Sequence, residues 1–296
     1  MRISDFNALR QKKRKLPVLL FIISRQPAVA KIVLLLTALL SSALSIAAAE
    51  PLIVAHRGAS KDAPENTIPA FELAWEQGAD AIEGDFHQTK DGFIICIHDK
   101  DTKKVAGEKW VVKRTMLNDL RRLDVGKYHN LKYKGTIAPT IAEVFDTVPQ
   151  GKKIYVEIKS NRSIVPVLLR EIEKSGLSRE QIVVISFNEK VIKALKAKAP
   201  QYKAMWLQSI KKDGTGKVRP SVDLILETLA KCGADGFSSG KDNITKSMID
   251  RVLEEGYEYH VWTVDDAEVA RKFRDWGALS ITTNVPGYIR EALERE

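Results

Sequence analysis

Three consecutive segments decide the fold: KIYVEIK (153–159), IVPVLLREIEKSG (164–176) and QIVVISF (181–187). The first and third segments are short, apolar and rich in β-branched residues, which is typical of buried strands. The middle segment repeats its apolar residues at helical spacing and ends in glycine, as helices often do. A strand, a helix and a second strand in this order predict two parallel strands joined by a crossover helix.

The same alternation continues in both directions and yields about eight strand–helix units downstream of residue 49. Eight units in 247 residues favour a closed (β/α)8 TIM barrel, an α/β fold of roughly 250 residues, over a doubly wound sheet. The other predicted strands are PLIVAHRG (51–58), AIEGDF (81–86), FIICIHD (93–99), KAMWLQS (203–209), ADGFSS (234–239), YEYHVWTV (257–264) and LSITTN (279–284).

Residues 100–139 interrupt the alternation directly after the FIICIHD strand. The stretch is basic, polar and irregular, and it is too long for a plain connection between two elements. We therefore expect a small insertion, from about 100 to 139, over one end of the barrel. No repeat, low-complexity tract or linker requires a second domain, so residues 50–296 are predicted to form one catalytic domain.

Residues 1–49 form a separate segment that resembles an export signal. A basic run, Lys12 to Lys15, precedes apolar residues, and the segment ends in Ala47-Ala48-Ala49. We expect cleavage after Ala49 and a periplasmic or extracellular location. The 18 apolar-to-small residues from Ile32 to Ala49 are also long enough to act as a membrane anchor, so contact with a membrane is expected only if this segment is retained.

The charge and cysteine content narrow the class of protein further. The chain has a net charge of +9, but eight basic residues and one acid in residues 1–49 leave only +2 for the rest. This small excess gives no reason to expect a nucleic-acid partner. The two cysteines, Cys96 and Cys232, are 136 positions apart, and we expect no disulfide between them.

Polar side chains cluster where the predicted strands end. Glu83 and Asp85 are two positions apart in one strand, as are Glu157 and Lys159 in another, so each pair shares a face. In a TIM barrel the carboxyl ends of all strands meet at one rim, where catalytic groups collect. The side chains expected to converge there are His56, Arg57, Glu83, Asp85, His98, Glu157, Lys159, His260 and Trp262.

This set of residue types suits phosphodiester chemistry. Three acids inside apolar strands are costly to bury, and a shared divalent cation would remove much of that cost; oxygen ligands favour Mg²⁺ or Ca²⁺. Two histidines can exchange protons near neutral pH. Arg57 and Lys159 supply positive charge for a phosphate. We therefore interpret His56 and Arg57 as the beginning of an active site.

Two other motifs are given structural interpretations. GFSSG (236–240) matches the G-x-S-x-G pattern of serine hydrolases, but only His260 follows it and no HGGG-type segment is present, so we interpret it as a barrel strand of small residues. GTGK (214–217) lacks the glycine spacing of a phosphate-binding loop and is predicted to be a surface loop.

The ordered motifs resemble the glycerophosphodiester phosphodiesterase family over residues 52–295. They are HRG (56–58), PENT (64–67), E-x-D (83–85), TKDG (89–92), HD (98–99), E-x-K (157–159), VVISF (183–187), VWTV (261–264) and TTNVP (282–286). The resemblance implies a TIM barrel with a small insertion after the HD strand. It also implies metal-dependent hydrolysis of small glycerophosphodiesters to sn-glycerol 3-phosphate and an alcohol such as choline or ethanolamine.

Residue by residue, the resemblance implies His56 and His98 as the general acid/base pair. It implies Glu83, Asp85 and Glu157 as ligands of one divalent cation, and Arg57 and Lys159 as phosphate-binding residues. Glu65 would line the site and Trp262 would form an apolar wall on the glycerol side. In this family the glycerol hydroxyl of the substrate attacks phosphorus, and water then opens the cyclic phosphate.

Two departures from the family pattern bear on the choice of alcohol: Asn284 in TTNVP, where aspartate is frequent, and DTKKV (101–105), where an Arg-Thr pair is frequent. His87 extends the Glu83/Asp85 face as a candidate support for the metal ligands. Two alternatives to the main hypothesis are a lysophospholipase-D-like or cyclising enzyme acting on lipids, and an inactive barrel that serves as a binding protein.

Overall fold

Eight parallel strands close into a barrel in the computed structural model of the protein, which describes residues 50–295. The first strand pairs with both the second and the last, so the barrel has no free edge. The predicted (β/α)8 fold is confirmed. The strands are β1 (Leu52–His56), β2 (Ala81–Gln88), β3 (Ile94–Cys96), β4 (Lys153–Ile158), β5 (Ile182–Ser186), β6 (Lys203–Gln208), β7 (Lys211–Lys212), β8 (Val218–Arg219), β9 (Gly236–Gly240), β10 (Glu258–Trp262) and β11 (Ser280–Thr283).

Helices follow the barrel strands and bury their apolar faces against the sheet. Gly176, the glycine predicted to end its helix, forms a left-handed C-cap with φ of 70°, and Gly233 forms another with φ of 71°. Within residues 50–295 no helix has the length and apolar character needed to cross a bilayer. The helices are α1 (Ile68–Glu76), α2 (Lys103–Ala106), α3 (Leu117–Leu120), α4 (Ile141–Phe145), α5 (Val165–Ser175), α6 (Glu189–Lys198), α7 (Val222–Cys232), α8 (Lys246–Glu254), α9 (Ala267–Asp275) and α10 (Pro286–Glu294).

The FIICIHD segment differs from the other predicted strands. Its central residues form β3, which runs antiparallel to the end of β2 and is not one of the eight barrel strands. The long strand β2 extends beyond the barrel, and its last three residues pair with β3, with Phe86 opposite Cys96. His98 was expected to end a strand but lies two residues after one, in a bend. An isolated apolar run does not reveal the direction in which it pairs, because that depends on its partner strand.

The inside of the barrel is filled by apolar side chains, among them Tyr155, Met205 and Leu207. A second and larger apolar cluster lies between the sheet and the surrounding helices. Cys96 and Cys232 are both free, buried thiols. Because the barrel interior is packed rather than open, polar chemistry is confined to the ends of the strands.

The inserted segment 100–139 is more ordered than its sequence predicts. It contains α2 and α3, and its apolar residues, including Val105 and Leu120, form a small hydrophobic cluster together with β3. Two side chains connect it to the loop that follows β1: the Tyr133 hydroxyl donates to the Asp62 carbonyl at 3.1 Å, and Lys104 pairs with Glu65 at 2.6 Å. The insertion was predicted to lie over one end of the barrel, and these contacts place it beside the carboxyl end of β1.

An ion pair joins this insertion to α4. Arg121 contacts Glu143 through two nitrogens, one of them 2.8 Å from Oε1, and Glu143 also forms a capping box with Thr140. The Arg121 hydrogen bond lowers the pKa of Glu143 from 4.5 to about 2, although burial opposes this shift. The pair therefore stabilises the folded protein above pH 4.5, and this contribution is lost as the pH falls toward 2.

We expect Glu143→Gln to lower the free energy of unfolding at pH 7 by about 1 kcal/mol, a modest value because the carboxylate is partly exposed. The difference from wild type should shrink between pH 4.5 and pH 2. Denaturant unfolding at several pH values measures it, with Glu173→Gln on an exposed face of α5 as the control. A difference that does not change with pH would contradict this role of the ion pair.

Candidate active site

The carboxyl ends of the barrel strands surround a cavity of about 140 Å³. Seven of the nine predicted site residues line it, and the remaining two, Glu65 and Asp85, are ion-paired to one of the seven, Arg57. The structure thus brings all nine together at one rim. The seven lining residues are His56, Arg57, Glu83, His98, Glu157, Lys159 and Trp262.

Three buried carboxylates form the most highly charged part of the cavity. Strands β2 and β4 run parallel with Asp85 opposite Glu157, and Glu83 lies two positions before Asp85, on the same face. One oxygen atom from each of the three lies within 4.8 Å of the others. Register and alternation together therefore place three carboxylates where a single ion could contact all of them.

The electrostatics of this cluster suit a bound cation. Burial, and then repulsion from Asp85 and Glu157, raises the pKa of Glu83 well above its usual value, and burial raises the pKa of Glu157 to about 7. Among residues 50–295, Glu83 Oε1 is buried without a hydrogen-bond partner. A divalent cation would neutralise the repulsion and use the free oxygen, and carboxylate oxygens are the ligands that Mg²⁺ and Ca²⁺ prefer.

Arg57 and Lys159 balance part of this negative charge. Arg57 Nε lies 3.1 Å from Asp85 Oδ2, and Lys159 Nζ lies 2.7 Å from Glu157 Oε1 and 3.5 Å from Asp85 Oδ1. Burial alone would raise the pKa of Asp85, but these two cations hold it below its usual value. The same ammonium and guanidinium groups border the cavity, so they can also contact a bound phosphate.

The turn after β1 directs Arg57 into the cavity. Arg57 has a left-handed backbone, with φ of 59°, and its N–H donates to Glu83 Oε2 at 3.0 Å. Gly58 follows with φ of 81°, and a Cβ there would come within 2.5 Å of the Ala70 backbone. The guanidinium also pairs with Glu65 at 3.1 Å. The glycine of the HRG motif is thus required by close packing of the turn against α1.

Asn66 precedes α1 but does not cap it. Thr67 caps the helix by accepting from the Ala70 N–H, although Asn66 is the residue that the sequence pattern suggests as the N-cap. Asn66 is buried with φ of 60°; its Nδ2 donates to Asp85 Oδ2 at 2.8 Å, and its Oδ1 accepts from the Asp85 N–H at 3.0 Å. These two bonds orient one of the clustered carboxylates.

His56 is held in one tautomer by a chain of hydrogen bonds. Its Nδ1 lies 2.8 Å from Asn284 Oδ1, and Asn284 Nδ2 donates to Asp265 Oδ2 at 2.6 Å, which orients the amide. Because the amide oxygen can only accept, His56 Nδ1 carries the proton and Nε2 is left to act on a substrate. Burial, and then Arg57, lowers the pKa of His56 to about 4, so the ring is neutral.

The second histidine, His98, has a more exposed position on the cavity wall. Its Nδ1 lies 2.7 Å from the neighbouring Asp99 Oδ1, and its side chain is 31% exposed. His87 was considered a support for the metal ligands, but its Nε2 instead contacts the backbone oxygen of His98 at 3.1 Å. His87 therefore helps to position the segment that carries His98.

One side of the cavity is apolar. Trp262 and Phe187 pack edge to face with ring centroids 5.4 Å apart, and Leu207 and Ile185 line the cavity beside them. Phe187 follows β5 in the VVISF motif, and its side chain is 44% exposed. The motif was noted in the sequence, but the position of this ring in the cavity was not predicted.

His260 was expected at the rim but lies deeper in the barrel. It is 4% exposed, its Nδ1 lies 2.8 Å from the Ser280 hydroxyl, and burial lowers its pKa to about 3. It borders both the catalytic cavity and a separate cavity at the opposite, amino-terminal end of the barrel strands. GFSSG forms strand β9, and GTGK lies at the tip of the β7–β8 hairpin, so both structural interpretations are confirmed.

Comparisons with known proteins give matches over most of the chain. A profile described as the glycerophosphoryl diester phosphodiesterase family matches residues 56–288. A glycerophosphodiester phosphodiesterase of Caldanaerobacter subterraneus subsp. tengcongensis is 31% identical over 242 residues, which is 79% of this chain and 94% of that protein. One from Bacillus subtilis is 28% identical over 251 residues, or 79% of this chain and 84% of the relative.

Solved structures have the same fold. An Oleispira antarctica phosphodiesterase, determined in complex with the product sn-glycerol-3-phosphate, has a TM-score of 0.74 at 22% identity and covers 83% of this chain and 97% of its own. A glycerophosphodiester phosphodiesterase from Agrobacterium tumefaciens has a TM-score of 0.67 at 25% identity and covers 81% of this chain and 99% of its own. The barrel fold is therefore shared with these solved structures.

Proposed function

The chain belongs to the glycerophosphoryl diester phosphodiesterase family, and we propose that it releases sn-glycerol 3-phosphate and an alcohol with two histidines and one divalent cation. Glycerophosphodiester phosphodiesterase activity follows from the family and its relatives. The cation and the histidine roles are the proposed part. The observation that carries them is the convergence of three carboxylates, two histidines and two basic side chains on one cavity. Because this set of residues is complete, it does not favour the alternative of an inactive barrel that serves as a binding protein. It also gives no specific reason to prefer a lipid substrate.

The residues around the cavity fall into three groups with different proposed roles. Arg57 and Lys159 would hold the substrate phosphate. Glu83, Asp85 and Glu157 would hold the cation, which would stabilise negative charge on the phosphate oxygens. Trp262 and Phe187 would exclude water from one side of the substrate.

The proposed reaction has two displacements at phosphorus. In the first, the free glycerol hydroxyl attacks and the bond to the alcohol breaks; one histidine takes the hydroxyl proton and the other protonates the departing oxygen. In the second, water opens the cyclic phosphate with the two proton transfers reversed. An internal hydroxyl needs no serine or cysteine nucleophile, because it is already held next to the phosphorus atom. The His56 Nε2 is free for one of these transfers.

Residues 50–296, incubated with sn-glycero-3-phosphocholine and a divalent cation, should release sn-glycerol 3-phosphate and choline in equal amounts. Phosphorus NMR follows both the substrate and any cyclic phosphate. Release of phosphocholine instead would place the cleavage on the other side of phosphorus and would contradict the proposal. Cleavage of lysophospholipid alone would point to a lipid substrate.

Asn284 should control turnover through His56. Asn284→Ala removes the acceptor for the His56 Nδ1 proton, so the ring can rotate or change tautomer. We expect kcat to fall roughly 10- to 100-fold with little change in KM, because the bond orients a catalytic group and does not touch substrate. Asn118→Ala, at an exposed position of α3, is the control. A variant that changes only KM would rule out this positioning role.

We also propose that residues 1–49, which lie outside the described residues, direct export and are removed after Ala49. The support is the sequence pattern: a basic run, an apolar stretch and three alanines. Amino-terminal sequencing of the exported protein should begin at Glu50. A membrane-bound protein that retains the segment would indicate an anchor.

A further inference from the structure

A second cavity of about 400 Å³ adjoins the catalytic one, and the two share Trp262 and Thr263 as a common wall. Its other walls come from the start of the chain between β6 and α7 and from the chain after β9. Trp262 therefore separates a ligand in the catalytic cavity from this adjoining space. Nothing in the proposed reaction uses it.

Hydrogen bonds hold these walls together. The Asn243 side-chain amide donates to the Ile210 carbonyl at 3.0 Å, and the Lys241 N–H donates to the Trp262 carbonyl at 2.8 Å. Asn243 has a left-handed backbone with φ of 59°. These hydrogen bonds connect the segments at the ends of β6, β9 and β10, so the walls of the second cavity are held in fixed positions at the rim.

The cavity has an excess of positive charge. Lys211 and Lys241 line it with one carboxylate, Asp242. Both lysines are exposed, and among residues 50–295 neither forms an ion pair. Unpaired ammonium groups at the wall of a cavity favour an anionic ligand.

The single acid of the β7–β8 hairpin, Asp213, is hydrogen-bonded to other residues of the hairpin. Asp213 Oδ1 accepts from the Thr215 N–H and hydroxyl and from the Lys217 N–H, and Oδ2 accepts from Arg219 Nε at 3.2 Å. These bonds, led by the Thr215 hydroxyl, lower the pKa of Asp213 to about 2. The acid stabilises the turn and neutralises Arg219, and the charge of Lys211 is left free.

We propose that this second cavity, with Lys211 and Lys241 on its wall, binds a second anionic group of the substrate, such as a phosphate, adjacent to the scissile phosphodiester. The inference rests on the proposed function and narrows its substrate class to glycerophosphodiesters that carry an additional negative charge. The additional negative charge can lie on the alcohol half or on the glycerol half of the substrate. In either place a phosphate would interact with the two lysines in the same way.

Two pairs of substrates that each differ by one phosphate test the proposal. The alcohol pair is sn-glycero-3-phosphoinositol and its inositol 4-phosphate; the glycerol pair is sn-glycero-3-phosphocholine and its analogue phosphorylated on the other primary hydroxyl. In one pair or the other, kcat/KM should be about 10-fold higher for the phosphorylated member. The Lys211→Met/Lys241→Met double variant should bring that ratio close to one.

Lys212→Met is the matched control, because Lys212 is the next residue of the same strand, faces the other side of the hairpin and does not line the cavity. It should keep the wild-type ratio. Wild-type ratios near one in both pairs, or a preference that survives in the double variant, would overturn the proposal. If none of the four compounds is cleaved, the proposed reaction fails, and the same ratios taken from dissociation constants by calorimetry still decide the second site.

Discussion

Replacing His56 or His98 with alanine should leave a folded protein that releases sn-glycerol 3-phosphate about 10²–10⁴-fold more slowly than wild type. Each ring borders the cavity from a different side, His56 at the end of β1 and His98 after β3. In the proposed reaction two proton transfers accompany each displacement at phosphorus, so we expect that neither ring can replace the other. The double variant should be little slower than the slower single variant, because removing one member already disables the pair.

His56 and His98 are supported by different partners, which gives the two variants separate controls. Asn284 supports His56 and Asp99 supports His98. His129→Ala, in the insertion and outside the catalytic cavity, should retain wild-type turnover. Initial rates and thermal melting curves measured on the same samples separate loss of catalysis from loss of folding. Near-wild-type rates in both His56→Ala and His98→Ala would refute the two-histidine mechanism.

Treatment with a chelator should reduce turnover by about 10³-fold or more, and Mg²⁺ or Ca²⁺ should restore it. The three clustered carboxylates repel one another and lie in a buried site, so we expect a cation to be required before a phosphate can come close. Adding each ion back to separate samples identifies the one that the site uses. Full activity after exhaustive chelation would refute the metal requirement.

A substitution in the same cluster should affect activity and stability in opposite directions. Glu83→Gln should abolish the response to added cation. Without cation, its free energy of unfolding should be about 1–3 kcal/mol higher than that of wild type, because the substitution removes a buried ionisable group that lacks a full set of partners. Glu72→Gln, at an exposed position of α1, should behave as wild type in both respects. Denaturant unfolding with and without cation measures both effects. A lower stability of Glu83→Gln without cation would show that Glu83 is satisfied by the protein itself.

Local sequence patterns were sufficient to predict most of the fold. Strand β4, helix α5 and strand β5 follow from β-branched runs and helical spacing that are visible within 35 residues of sequence. The side chains expected at the rim also follow from local rules, because Glu83 and Asp85 must share a face of β2, and the carboxyl ends of parallel strands must meet. The one misassigned strand, β3, is the one whose direction depends on a hairpin with β2.

The residues that contact and orient the site residues could not be predicted from local sequence pattern. Asn66 contacts Asp85 from a different element, Asn284 reaches His56 across 228 positions, and Lys241 meets Trp262 where two loops pack together. His260 lies in the middle of β10, two residues before Trp262, and borders the cavities at both ends of the barrel, so it lies deeper than the rim residues.

By itself, the sequence determined the barrel, its insertion and most of the polar side chains that converge at the rim, because periodicity and strand alternation act over a few neighbouring residues. Only the tertiary structure decided the tautomer of His56, the support of Asp85 and the charged cavity beyond Trp262. Each of these depends on the distance and angle between segments far apart in the chain. Those distances are set by how the strands close into a barrel and how the loops pack above it.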